Sequence, residues 1–189
     1  MDKIRIGIVG YGNLGRGVQY ASAQNADTEV VAVFTRRAPE SVKTVLPVKV
    51  EKYEDMKNYV GKIDVMILCG GSATDLPAQS AEIAGLFNTV DSFDTHAKIP
   101  EYFAALDKSA KDAGHLSAMS IGWDPGLFSL ARIYFGSSLA DGSTYTFWGK
   151  GVSQGHSDAI RRVKGVRDAR QYTVPVESAL ERVRRGENP

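Results

Sequence analysis

The start of the chain constrains its fold most. Ile4-Arg5-Ile6-Gly7-Ile8-Val9 is a short β-branched run, and Gly10-Tyr11-Gly12-Asn13-Leu14-Gly15 follows it directly. Glycines at this spacing have separate uses. The first allows a tight turn after a strand, the second lets backbone approach a pyrophosphate, and the third lets a helix pack closely on the strand. The helix that follows, expected over about 14–24, turns free N–H groups and a positive dipole end toward the same point. Alone the pattern is weak, and a glycine-rich turn without a ligand is the plain alternative. Its place between a strand and a helix is the context a dinucleotide site requires. Gly10, Tyr11, Gly12, Asn13 and Leu14 are therefore candidate cofactor-binding residues.

The same rhythm continues. Strands are expected at 29–35, 48–50, 63–69, 88–91 and 115–120, with helices at 76–87 and 100–113, the last ended by Gly114. Strands alternating with helices predict a Rossmann-type, doubly wound parallel sheet of the α/β class. After Trp123 the rhythm changes. A helix is expected at 126–134, strands at 144–148 and 171–174, and a helix at 177–185. Gly149 to Ser157 reads as a polar, flexible turn. The expected division is a dinucleotide-binding domain over 1–122 and the beginning of an α+β substrate and dimerisation domain over 123–189.

Composition excludes several classes. With 23 basic and 22 acidic residues the net charge is +1, so no overall field draws the chain to nucleic acid or membrane. Residues 150–189 are more basic, with nine Lys and Arg against five Asp and Glu. One cysteine, Cys69, excludes an intrachain disulfide and a multi-cysteine zinc site. His96, His115 and His156 lack ligand spacing, so no metal is expected. No signal-peptide core or membrane-length apolar run is present, and the expected location is cytoplasmic.

The strand ends carry the candidate chemistry, because ligands in such sheets bind outside the carboxyl ends of strands. Where an NAD site places an acid after the second strand, this chain has Thr35-Arg36-Arg37. Two guanidiniums and a hydroxyl suit a ribose 2′-phosphate, so NADP(H) is the expected cofactor. Two solvated arginines are the alternative. Cys69, Gly70, Gly71, Ser72, Ala73 and Thr74 follow the fourth strand and can approach a ribose or nicotinamide. Cys69 reads as a small buried residue, not a nucleophile. Ser92, Phe93 and Asp94 follow the fifth strand, and Trp123 and Asp124 the sixth. Asp94 and Asp124 can bind a substrate ammonium, and Phe93, Trp123 and Trp148 can exclude water. Asp124 can equally cap the next helix, with Pro125 in its first turn.

Taken together, Gly10–Gly15, Thr35–Arg37, Gly71–Asp75, Asp91–His96, Gly122–Gly126, Thr146–Gly149, Ser153–Ala159 and Gln171–Thr173 strongly resemble meso-diaminopimelate dehydrogenase. The resemblance runs from Met1 to Pro189. It implies NADP-dependent, reversible oxidative deamination of the D-centre of meso-2,6-diaminopimelate. The products are L-2-amino-6-oxopimelate, which cyclises to tetrahydrodipicolinate, and ammonia. The pathway is lysine and cell-wall precursor biosynthesis. By the same resemblance Asp94 and Asp124 are catalytic and hold the D-centre amine. Trp123 and Trp148 pack around the substrate. Ser153, Gln154 and Gly155 lie near the D-carboxylate, and Thr173 binds the far end. The resemblance also implies a homodimer and a chain that continues past Pro189. The expectation is therefore a truncated chain, and the alternative function is a catalytically inactive NADPH-binding fragment.

Overall fold

Side chains in the first strands alternate between two cores. In the computed structural model, which describes residues 2–139 and 150–187 without the side chains of Gln154 and Asp158, β1 spans Ile4–Val9 and β2 spans Thr28–Thr35. β3 is Lys49–Lys52, β4 Val65–Leu68, β5 Asn88–Asp91 and β6 Ser117–Ala118. These six strands form one sheet in the order β3-β2-β1-β4-β5-β6, and every pair is parallel.

Successive residues of a strand face opposite sides of its sheet. Ile6, Ile8, Val33, Val65 and Ile67 fall in one apolar cluster. Val9, Ala32, Phe34, Met66 and Leu68 fall in the other. α1 (Asn13–Gln24) covers the first face through Val18. α2 (Asp75–Ala84) and α3 (Ile99–Ala113) cover the second through Leu76, Ile83, Tyr102 and Leu106. Both faces are thus dry, as parallel sheets require. The doubly wound Rossmann sheet read from the sequence is the fold found.

The chain divides into two compact units, Met1–Ile133 and Tyr134–Pro189. α4 (Leu127–Ser138) runs across the division. In the second unit β7 (Gly151–Ser153) pairs antiparallel with β8 (Gln171–Thr173). α5 (Gln154–Arg161) and α6 (Glu177–Arg184) complete what is described there.

Two local readings are corrected. The flexible turn read over Gly149–Ser157 is replaced, in its described residues 150–157, by β7 and the start of α5. The reason is pairing at a distance. Gly151 lies opposite Thr173, and the buried Ser157 hydroxyl donates to the Ser153 carbonyl (2.5 Å) while accepting the Gln171 N–H (2.9 Å). The sixth strand is two residues long, not six. His115 is still tied to the end of α3 by its N–H bond to the Ala110 carbonyl, and Ser120 has a left-handed φ of 58°. Tyr53–Tyr59 forms a 3-10 helix that local pattern did not signal. The strand expected at 144–148 lies outside the described residues.

Candidate functional site

The carboxyl ends of β1, β2 and β4 open into a cleft of about 400 Å³. Its floor is the glycine turn. The Gly10 N–H donates to the Phe34 carbonyl at 2.9 Å, which ties the turn to the end of β2. Gly10 has φ +87°, a conformation that side chains resist. A Cβ on Gly15 would lie 2.4 Å from the Gly10 carbonyl oxygen, so only glycine lets α1 start this close to the strand. A Cβ on Gly12 would meet nothing within 4 Å. Gly12 caps α1 without a side-chain bond and itself lines the cleft, so the first-turn N–H groups, which have no intrahelical acceptor, lie next to it. Open space beside bare N–H donors is what a pyrophosphate needs, and the residues present fit it.

Tyr11 lines the cleft but is mainly an anchor. Its ring is buried, and its hydroxyl donates to the Gln19 side chain and accepts the Val45 N–H at 2.9 Å. Gln19 in turn donates to the Leu46 carbonyl (3.0 Å). These bonds join α1 to the segment after β2.

The two arginines are held differently. Arg37 donates from Nη2 to the Tyr11 carbonyl at 2.7 Å, a neutral acceptor. Its N–H donates to Thr35 Oγ1 (3.1 Å), which leaves the threonine O–H free to donate elsewhere. Arg36 crosses to the start of α2 and pairs with Asp75, Nη2 to Oδ1, at 2.6 Å. The other Asp75 oxygen, Oδ2, accepts the Gly71 N–H at 3.0 Å. That backbone bond first, then Arg36, holds the Asp75 carboxyl below its usual range against the opposing effect of burial.

Cys69 lines the same cleft, and burial pushes its thiol up to about 12. A thiol so reluctant to ionise is a poor nucleophile near neutral pH. Sequence reasoning did not assign Asp75, Tyr53 or Gln79, which also line the cleft. Asp75 stood inside a quoted motif, but its partner is 39 residues away, and no local spacing announces that bond.

The loops after β4, β5 and β6 are bonded to one another. The Asp94 N–H donates to Ser72 Oγ at 3.1 Å, and the Asp94 side chain is exposed. Gly122 lies against Ser92: a Cβ on Gly122 would be 3.5 Å from the Ser92 Cβ. Asp91 is 2% exposed and joins the two later loops. Its Oδ1 accepts the N–H groups of Phe93 (2.9 Å) and Ser120 (3.2 Å), and its Oδ2 accepts the Tyr102 hydroxyl (2.6 Å). The Phe93 ring is buried, stacked on Tyr102 with centroids 4.0 Å apart. Phe93 therefore faces its loop with backbone, and its ring belongs to the core.

Trp123 is exposed and stacks on Phe128 at 5.5 Å. Arg132 lies over the other ring of that pair, 4.9 Å from the Phe128 centroid. Asp124 Oδ1 accepts Arg132 Nη2 (3.0 Å) and the Ser129 hydroxyl (3.1 Å). Asp124 is thus tied to side chains of α4. In the second unit Ser153 Oγ lies 2.7 Å from His156 Nδ1, and Ser153, Gly155 and Thr173 share the β7–α5–β8 motif. Trp148 lies outside the described residues. Among the described residues no group of three or more His, Cys, Asp or Glu could hold a metal, and no helix is long and apolar enough to cross a membrane.

A parallel sheet with a glycine turn and an open cleft at its strand ends is the architecture of a dinucleotide-binding domain. Residues 4–98 match the model of the oxidoreductase family with an NAD-binding Rossmann fold, and the chain belongs to that family. Residues 122–189 match the diaminopimelic acid dehydrogenase C-terminal domain. Along all of its length the chain is 62% identical to the meso-diaminopimelate D-dehydrogenase of Ureibacillus thermosphaericus, of which it covers 58%. It superposes with a TM-score of 0.89 on a Corynebacterium glutamicum DAP dehydrogenase solved in complex with DAP, at 46% identity over 99% of this chain and 57% of that one. An engineered D-amino acid dehydrogenase bound to NADP+ gives a TM-score of 0.86 at 45% identity, over 98% of this chain and 57% of that one. The resemblance read from the sequence is thereby shown. The chain spans about 58% of the length of the curated relatives it matches.

Proposed function

We propose that this chain belongs to an NADP-dependent dehydrogenase that oxidatively deaminates the D-centre of meso-2,6-diaminopimelate, releasing ammonia and L-2-amino-6-oxopimelate. One observation carries the reading. A chain 62% identical along its whole length to a meso-diaminopimelate D-dehydrogenase presents paired arginines and a bare glycine turn in one cleft. The relative with bound NADP+ supports the cofactor, and the relative with bound DAP supports the substrate.

Bound NADP would supply the hydride acceptor. The chain's own residues do the rest. Gly10, Gly12 and the N–H groups of Asn13 and Leu14 hold the pyrophosphate. Thr35, Arg36 and Arg37 hold the 2′-phosphate by charge-assisted bonds. Cys69 to Thr74 and Ser92 to Asp94 flank the ribose and nicotinamide, mostly with backbone. Asp94 and Asp124 orient the D-centre ammonium and stabilise the positive charge that develops as its carbon loses hydride. Water adds to that carbon and ammonia leaves. A carboxylate at this position takes up the released proton. Trp123 and Trp148 pack around the substrate and exclude bulk water. Ser153, Gln154 and Gly155 serve the D-carboxylate, and Thr173 serves the far amino acid centre.

In this reading residues 1–122 are the cofactor domain and 123–189 begin the substrate domain, supported by a family match that starts at residue 122. A cytoplasmic homodimer follows from the family resemblance.

The test is NADPH formation at alkaline pH with NADP and meso-diaminopimelate, with the L,L isomer as control. Turnover with the meso isomer alone is expected. Equal turnover of both isomers overturns the assignment of the D-centre reaction; no turnover with either while NADPH still binds supports the alternative of an inactive NADPH-binding fragment.

A further inference from the structure

We propose that Asp75 is a specificity-determining residue: it acts as an internal counter-anion to Arg36 and so limits how strongly the cleft prefers a 2′-phosphorylated dinucleotide. This rests on the cofactor reading above.

The argument starts from the unequal state of the two arginines. Arg37 is anchored by a neutral carbonyl, so its full charge faces an incoming anion. Arg36 is bonded to a carboxylate across the cleft at 2.6 Å. The pair of guanidiniums therefore presents one net positive charge to a phosphate, not two. Asp75 is fixed in that position. It is 24% exposed, against 63% for Arg36, its second oxygen is held by the Gly71 N–H, and it opens α2. The flexible partner is the arginine, so a 2′-phosphate must either share Arg36 with Asp75 or draw it away. Either way the bond to Asp75 withholds part of Arg36 from the dianion, a cost that a ribose hydroxyl, which needs no Arg36, does not bear.

The two Asp75 oxygens have separate partners, which makes the test clean. Asp75→Asn keeps an oxygen for the Gly71 N–H and puts an uncharged amide where the carboxylate meets Arg36. Kd values for NADPH and NADH, and for 2′,5′-ADP against 5′-AMP, are measured by titration calorimetry at low salt. In Asp75→Asn the NADPH affinity is expected to rise about fivefold, the size of an exposed ion pair, while NADH changes less than about twofold. The gain should shrink as salt is raised. In an Arg36→Ala background the same substitution should leave the NADPH-to-NADH ratio unchanged. Asp75→Ser, which keeps a hydroxyl acceptor, serves as a second variant and should give the same direction.

A ratio that stays constant or falls in both variants overturns the proposal. So does an equal gain in the Arg36→Ala background, because Asp75 would then act through general charge and not through Arg36. Failure of the unaltered chain to bind NADPH is a different result: it overturns the cofactor reading itself.

Discussion

Two glycines of α1 give opposite predictions for one substitution. Gly15 and Gly17 are two residues apart in the same helix. A helical Gly→Ala change is ordinarily favourable by about 1 kcal/mol, through lower unfolded-state entropy and better propensity. At Gly17 a Cβ meets nothing within 4 Å, so Gly17→Ala should gain about that amount. At Gly15 the new Cβ would lie 2.4 Å from the Gly10 carbonyl oxygen and 3.4 Å from Ile8 Cγ2. The first distance is about 1 Å short of ordinary contact, and the atom it meets is backbone. Overpacking of this kind costs about 1–3 kcal/mol, which cancels or exceeds the propensity gain. Chemical and thermal unfolding of the two variants should therefore separate them. For a chain of this size about 1 kcal/mol shifts the midpoint by roughly 2–4 °C. Gly17→Ala should melt above the unaltered protein, and Gly15→Ala level with it or below. Relief of the clash would also displace the start of α1 from the glycine turn, which should weaken NADPH binding tenfold or more, since placement errors near 1 Å can cost about 10²-fold. A Gly15→Ala protein as stable as Gly17→Ala, with unchanged NADPH affinity, would refute the reasoning.

Three other outcomes are expected. Replacing Arg36 and Arg37 together by Ala should abolish the preference for NADP over NAD; an unchanged Kd ratio would remove the 2′-phosphate assignment. Cys69, with its thiol pushed up to about 12 by burial, should stay unlabelled by iodoacetamide at pH 8 in the folded protein and react once unfolded; rapid labelling of the native state would contradict the burial. The Asp64 carboxyl is lowered from 3.8 to about 2, first by the side-chain bond from Arg5 and then by the Arg5 N–H. A carboxylate lowered in the folded state stabilises the fold above its unfolded value and loses that contribution as pH falls through the folded one. The loss should thus fall between about 4 and 2, and acid unfolding of Asp64→Asn should be flatter there; because both side chains are about two-fifths exposed, the effect is small.

The parts of this molecule legible in the sequence are those written in short-range pattern. β1, the glycine turn and α1 occupy the first 24 residues, and each is announced by its own residue types. Thr35-Arg36-Arg37 is legible for the same reason, because a strand end fixes where those residues emerge. What the sequence did not reveal depends on partners far along the chain. The Gly149–Ser157 segment has the composition of a loop, yet it gains a strand because Gln171 to Thr173 arrives opposite it. The 3-10 helix at Tyr53–Tyr59 is likewise held by packing, with the Tyr59 ring edge-on to Phe34 at 5.1 Å and its hydroxyl donating to Glu51 at 2.7 Å.

Asp91 shows why the candidate site was only half legible. By pattern it is the polar last residue of a short strand. In the fold it is a buried group with three donors from three places: the loop of Asp94, the segment leading to Trp123 and Asp124, and α3. A buried carboxyl without such partners would be costly, and with them it holds loops in register. The main chain repeats the connection, since the Ile121 N–H donates to the Asp91 carbonyl at 2.8 Å and Ser120 Oγ donates to the Phe93 carbonyl at 2.9 Å. The left-handed Ser120 is stable in this setting because its N–H and its hydroxyl are both satisfied. The segments that carry Asp94 and Asp124 are therefore bonded to one buried residue at the carboxyl end of β5. Sequence motifs named the two aspartates, but the group that ties their segments together is visible only once β5 and β6 lie side by side.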